Sequence, residues 1–192
     1  LAPVSSGKTG VIIARVLWEI GRNPNVRLLV LGCAASHATK IARAIRTYIE
    51  QSEAYHEVFP GIVRGDPWGV EHFTVRRDLV AKEPTVQAAG RYGNVLGSRS
   101  DIIILDDIED YESTRTEHAR GETYNWFKSE VVTRRPDRIV LVETTWNVSD
   151  LPHRLMDEGW PHVRDPIVNA KGKILWPERF SPADVEKARR EL

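Results

Sequence analysis

Ala2-Pro3-Val4-Ser5-Ser6-Gly7-Lys8-Thr9 opens the chain, and Val11 to Ile20 follows it directly as an apolar stretch with helical spacing. A Gly-Lys-Thr turn entering a helix offers backbone N–H groups and the positive end of the helix dipole to phosphate oxygens; the lysine adds a point charge and the threonine hydroxyl a Mg2+ ligand. The expected ligand is a nucleoside triphosphate, held by Ser5, Ser6, Gly7, Lys8, Thr9 and Gly10. The usual pattern is G-x-x-x-x-G-K-[ST], and Ala2 stands at its first glycine. The match therefore covers the second half of the motif, and the rest of the chain must support it.

The second deciding stretch is Ile102-Ile103-Ile104-Leu105-Asp106-Asp107. A continuous apolar run of this length is expected of a strand buried on both faces. In open α/β sheets ligands sit outside the carboxyl ends of the strands, so the two carboxylates should face the ligand crevice. Asp106 can reach Mg2+ or its water, and Asp107 or Glu109 can orient and polarise an attacking water. This is a Walker B pattern. Its separation from the Gly-Lys-Thr loop leaves room for the strand-helix units that belong between the two motifs.

Those units are visible. Arg27 to Cys33 reads as a short buried strand after a Gly21 to Asn25 break, and a strand following a loop-helix unit suggests a parallel crossover. Ser36 can cap the next helix, in which Ala38, Ile41, Ala42, Ile45, Tyr48 and Ile49 recur at helical spacing. Lys40, Arg43 and Arg46 take its other face, read as solvated rather than DNA-binding. Ser52 to Arg77 is irregular, with Pro60-Gly61 and Gly65-Asp66-Pro67-Trp68-Gly69 as turn signals before a strand near Glu71 to Val75. Thr85 to Ala89 reads as a strand, and Thr114-Arg115-Thr116-Glu117 has capping-box spacing for a helix carrying Tyr124, Phe127 and Val131 on one side. Arg138 to Glu143 is another buried strand, ending in Thr144-Thr145-Trp146. That hydroxyl pair can sense a γ-phosphate and relay it to Asn147 to Leu155; ordinary β-branched strand residues are the other reading. Lys173 to Phe180 is an aromatic-rich extended piece, and Ser181-Pro182-Ala183-Asp184 begins a final helix.

Composition narrows the classes. A chain of 192 residues suits one α/β core, and 27 Lys+Arg against 27 Asp+Glu leaves nucleic-acid binding neither announced nor excluded. A single cysteine, Cys33, excludes an internal disulfide framework and a multi-cysteine zinc site. The six histidines are scattered without an H-x-x-x-H pair, so a zinc site is not expected. No apolar run approaches the roughly 18 residues of a membrane span, and the expectation is a soluble, intracellular protein. A two-metal nuclease needs three or more converging carboxylates, and the tight acidic group already serves Walker B.

In order and spacing the chain resembles the ATPase domain of tailed-bacteriophage terminase large subunits, the motors that package double-stranded DNA into a procapsid. The resemblance rests on Ala2-Pro3 through Gly7-Lys8-Thr9, Gly97-x-Arg99-x-Asp101 leading into Leu105-Asp106-Asp107, Arg120 with Trp126-Phe127, Thr145-Trp146 with Asp150-Leu151, and Leu175-Trp176-Pro177-Glu178-Arg179-Phe180. It spans residues 1–192 and implies an α/β P-loop NTPase fold of the additional-strand, catalytic-carboxylate type, with a mainly parallel sheet flanked by helices. By resemblance the ligands are ATP and Mg2+. Lys8 and Thr9 would hold the β- and γ-phosphates and Mg2+, Asp106 would take the Walker B role, and Thr144 and Thr145 would form the coupling motif. The implied partners are double-stranded DNA, a portal protein, a small terminase subunit and further copies in a ring, working in the host cytoplasm at the procapsid portal and outside the finished virion.

Two departures from the family pattern matter. Asp107 sits where many relatives carry a catalytic glutamate, and its side chain is about one C–C bond shorter, which keeps Glu109 as a second candidate. Val4 replaces an arginine found early in many phosphate loops, so the transition-state cation beyond Lys8 and Mg2+ must come from elsewhere. Arg99 and Arg91, approaching Walker B, are the candidates within the chain, with a neighbouring subunit as the other source. A phosphate loop is launched from a strand, which is expected to precede Leu1 in a longer parent, and the family's C-terminal nuclease domain is not expected within these residues. Two other functions fit the motifs: a helicase-like or other P-loop DNA translocase, and a non-hydrolysing nucleotide-binding module.

Overall fold

A computed structural model of the chain describes residues 1–3, 6–93 and 99–191. After the loop, α1 (Lys8–Arg22) leads into β1 (Leu28–Gly32), α2 (Ala35–Gln51) and the short α3 (Glu53–Val58). An excursion follows, formed by β2 (Arg64–Trp68) and β3 (His72–Val75), before β4 (Val86–Gly90) and β5 (Ile102–Asp106). Next come α4 (Tyr111–Thr114), α5 (Glu117–Trp126), a π-helical turn over Phe127–Val131 and a 3-10 turn over Val132–Arg134. The described chain closes with β6 (Arg138–Val142), α6 (Leu151–Asp157) and α7 (Pro182–Glu191).

One six-stranded sheet runs in the order β2-β3-β4-β1-β5-β6. Strands β4, β1, β5 and β6 are parallel; β3 joins β4, and β2 joins β3, in antiparallel pairing. The fold is thus α/β with a mainly parallel sheet, as the motifs imply. Every residue of β1 and β5 is buried, which is why both read as unbroken apolar runs.

Strand alternation divides the core in two. Ile102 and Ile104 point to the face covered by α1 and α2, where Ile12, Val16, Ile20, Ile41 and Ile45 are buried. Ile103 and Leu105 point to the opposite face, against Trp126, Phe127, Leu151 and Leu155. The next position, Asp106, therefore returns to the α1 side. In β6, Val140 and Val142 pack on the α1–α2 side, so by the same alternation Glu143 turns to the α5–α6 side. Register then sets the site: Gly32 pairs with Gly90 and with Asp106, and Asp106 with Val142, so the strand ends share one level. The phosphate loop reaches that level beside β6, through Ala2 N–H donating to the Glu143 carbonyl at 3.3 Å. β6 lies between the loop and β5.

Several local expectations differ in detail. Ser36 does not cap α2; the helix starts at Ala35 with Ala34 as its cap, and no side chain satisfies the end. Tyr48, on the flank of the apolar stripe, is 49% exposed. Gly65 to Trp68 is an edge strand rather than a turn. The capping box belongs to Asp110 and Ser113 at α4, while Thr116 alone caps α5 by accepting the Ala119 N–H.

Candidate functional site

Gly7 caps α1 with φ 83°, a left-handed conformation that a side chain would strain. This bend turns Lys8 back over the loop. Its Nζ donates to the carbonyls of Ala2 at 2.9 Å and Pro3 at 3.1 Å and to Thr144 Oγ1, and it stands 4.0 Å from Asp107 Oδ1. Ser6 Oγ donates to the Pro3 carbonyl at 2.7 Å. Gly10 is exposed in the first turn, where a Cβ would meet nothing within 4 Å. Ser5 lies outside the described residues.

Across the loop, Thr9 Oγ1 donates to Asp106 Oδ2 at 2.9 Å, joining the two residues expected to hold the metal. His37 Nε2 meets the same oxygen at 3.0 Å. Asp106 is fully buried, and its other oxygen, Oδ1, has no hydrogen-bond partner. Burial pushes its carboxyl above the usual range, opposed by the hydrogen bonds from His37 and Thr9. A buried carboxylate oxygen without a donor, beside a threonine hydroxyl, fits Mg2+. Among the described residues no three His, Cys, Asp or Glu side chains converge into a cage.

The remaining carboxylates separate clearly. Asp107, with φ 43°, keeps a half-buried side chain whose Oδ1 accepts the Thr144 N–H at 3.3 Å. It shares the loop's end of the sheet with Lys8. Glu109 turns the other way: it is buried, and its Oε2 accepts the Leu151 N–H at 2.9 Å. Burial pushes its carboxyl up to about 7, helped by the Asp150 charge and opposed by the Leu151 N–H. Glu143, buried at the end of β6, accepts the Ile108 N–H, and burial holds its carboxyl far above the ordinary range. Glu143 thus fastens the turn after β5 to β6.

Thr144 lies between Lys8 and Asp107, whereas Thr145 is exposed and lines a cavity of about 620 Å3 beside the loop, with Ala2, Pro3, Trp146 and Phe180. Beyond it, Asp150 organises the start of α6: Oδ2 accepts from Trp146 N at 2.9 Å and Asn147 N at 3.1 Å, and Oδ1 from His153 N at 3.2 Å.

The two candidate arginines part company. The Arg99 N–H donates to Glu83 at 3.2 Å, next to the Arg27–Asp101 pair at the strands' amino ends. Its backbone is thus at the sheet edge opposite the phosphate loop, and the structure does not bring it to the carboxylates. Gly97, of the same motif, lies outside the described residues. Arg91 follows β4 at the correct edge, donating to the Ile108 carbonyl at 3.0 Å and Thr123 Oγ1 at 3.3 Å. There it braces the turn after β5. Two residues of the cluster carried no expectation from sequence: His37 and Glu143.

A lysine-threonine loop opening a helix thus lies against a strand-end aspartate pair on a mainly parallel sheet. The chain is similar to the terminase large subunit of Enterobacteria phage T3, with 25% identity over 183 residues that cover 92% of this chain and 31% of that protein. The chain therefore spans about a third of its relative, and the similarity bears out the resemblance read from the motifs. No protein-family model matches the chain. Among solved structures, the large terminase ATPase domain of Thermus phage P74-26 matches with TM-score 0.43 and 17% identity over 77% of this chain and 60% of that one. A mutant of that domain gives TM-score 0.44 at the same identity and coverage. Among the described residues no helix is long and apolar enough to cross a membrane.

Proposed function

We propose that this chain binds and hydrolyses ATP and that hydrolysis drives double-stranded DNA into a procapsid. The observation that carries the chemistry is the meeting of Lys8, Thr9, Asp106 and Asp107 at one sheet edge, from segments about 100 positions apart in sequence. Similarity to a terminase large subunit supplies the packaging context. By the same resemblance the partners are DNA, a portal protein, a small terminase subunit and further copies of the chain in a ring.

In this reading Lys8 leaves its carbonyl partners for the β- and γ-phosphates, while Gly7 and the first N–H groups of α1 meet the phosphate oxygens. Thr9 and Asp106 hold Mg2+, which when bound neutralises charge on the phosphate oxygens. Asp107, half-buried on the loop side, is the carboxylate that orients the attacking water, and Glu109 is instead an anchor for α6. Thr144, bonded to Lys8 on one side and Asp107 on the other, changes partners when Lys8 moves, and Asp150 passes that change to α6. Arg91 or a neighbouring subunit supplies the remaining cation.

Phosphate release measured with Mg·ATP tests the central claim. Lys8→Ala should abolish turnover; near-normal turnover in that variant would remove ATP hydrolysis at this loop.

A further inference from the structure

We propose that His37 is a positioning residue for Asp106: its ring holds one carboxylate oxygen and thereby leaves the other to the bound Mg2+. The inference rests on the nucleotide-site reading above and adds a residue to it. Both donors that reach Asp106, Thr9 Oγ1 at 2.9 Å and His37 Nε2 at 3.0 Å, converge on Oδ2. Oδ1 is buried and has no partner. Two donors on one oxygen fix the rotation of the carboxylate, and with it the identity of the open oxygen.

The two donors are not equivalent. Thr9 belongs to the phosphate loop and its hydroxyl oxygen is also the loop's Mg2+ ligand, so its contact changes with the ligand. His37 stands outside the loop, near the start of α2, and its bond to Asp106 requires nothing from the nucleotide. The framework behind it is rigid. Gly32 and Asp106 are paired across β1 and β5, and α2 starts three residues after Gly32. A Cβ at Gly32 would stand 2.9 Å from His37 Cδ2, so glycine there gives the ring its seat against the strand. Sheet register, glycine and helix start together hold the imidazole beside Asp106.

Outer partners of metal-binding side chains typically change metal affinity about 10- to 100-fold when removed. His37→Ala is therefore expected to raise the Mg2+ concentration for half-maximal turnover at least about 10-fold. Binding of the fluorescent analogue mant-ATP without Mg2+ should stay within about twofold, because the loop and Lys8 are untouched. His37→Gln, whose amide N–H reaches about as far as Nε2, should restore most of the Mg2+ affinity. An unchanged Mg2+ requirement in His37→Ala overturns the proposal, as does a Mg2+-free affinity that falls equally, or failure of glutamine to restore. Lys8→Ala separates the two readings. If it binds mant-ATP normally, the nucleotide site is misassigned and the proposal falls with it; if it loses binding while His37→Ala is unaltered, only the role of His37 falls.

Discussion

Two acidic side chains three and one positions from Asp106 differ in what surrounds them, and that difference divides their chemistry. Asp107 is half-buried and open to the loop near Lys8; Glu109 is buried against the Leu151 N–H. Asp107→Asn is expected to lower turnover by about 10²-fold or more, the usual scale for losing a positioned base, while Glu109→Gln keeps most of it. Phosphate-release rates for the two variants check this. Glu109 has its own signature in pH. Its carboxyl is raised from an ordinary 4.5 to about 7 by burial, so below pH 4.5 it is protonated in both folded and unfolded chains and contributes nothing. As pH rises from 4.5 to 7 the unfolded chain releases a proton that the folded one retains, and stability falls; above 7 the full cost, on the order of 3 kcal/mol, is present. Glu109→Gln cannot titrate, so it should melt several degrees above the parent at pH 8 and close to it at pH 4.5. Thermal scans at the two pH values read the difference. The residues of the proposed site were legible because each carries a local signature: Gly-Lys-Thr before a helix, Asp-Asp after an apolar run. His37 and Glu143 were not, since a histidine early in a helix and a glutamate ending a strand acquire roles only when parallel pairing brings β1, β5 and β6 to one level. Arg99 shows the reverse error, where nearness to Walker B in sequence stood in for nearness in space; it precedes β5, and a strand separates its two ends.

Among the elements, α6 is capped by the Asp150 side chain. Asp150 is fully buried and accepts N–H groups from Trp146, Asn147 and His153, linking the segment after β6 to the helix that covers Ile103 and Leu105. Asp150→Ala removes the cap and leaves three donors to find water, a loss of about 2 kcal/mol or more. Asp150→Asn keeps an acceptor oxygen and should lose less than half as much. Urea midpoints for the two variants give the comparison. Elements of this molecule were readable in proportion to burial: β1 and β5, enclosed on both faces, appear as unbroken apolar runs. β2 was invisible because it is an edge strand with mostly exposed residues, and an edge tolerates Pro67 where a central strand would not. The π-helical turn at Phe127–Val131 was equally hidden, for Phe127 and Val131 are buried as a regular helix would bury them. Only the hydrogen-bond pattern differs there.

For the molecule as a whole, the sheet separates the proposed ligand edge from a structural edge. The ligand edge joins Lys8 and Thr9 with His37, Asp106 and Thr144, drawing on α1, α2, β5 and the segment after β6. A ligand that bridges these elements must stabilise the folded chain by mass action, by about 2.7 kcal/mol at one hundred times its Kd. In a domain of this size that corresponds to a rise of roughly 5–10 °C in Tm. A non-hydrolysable ATP analogue with Mg2+ should produce this shift, and Lys8→Ala should remove it whatever its own midpoint. At the other edge, the Arg27 backbone N–H donates to Asp101 at 2.8 Å and its guanidinium pairs with the same carboxylate, joining the starts of β1 and β5. Arg27→Ala should therefore lower Tm without ligand yet preserve the ligand-induced rise. Were Arg27→Ala to abolish the shift as Lys8→Ala does, the two edges would be one cooperative site, and the assignment of nucleotide binding to the strands' carboxyl ends would have to be abandoned.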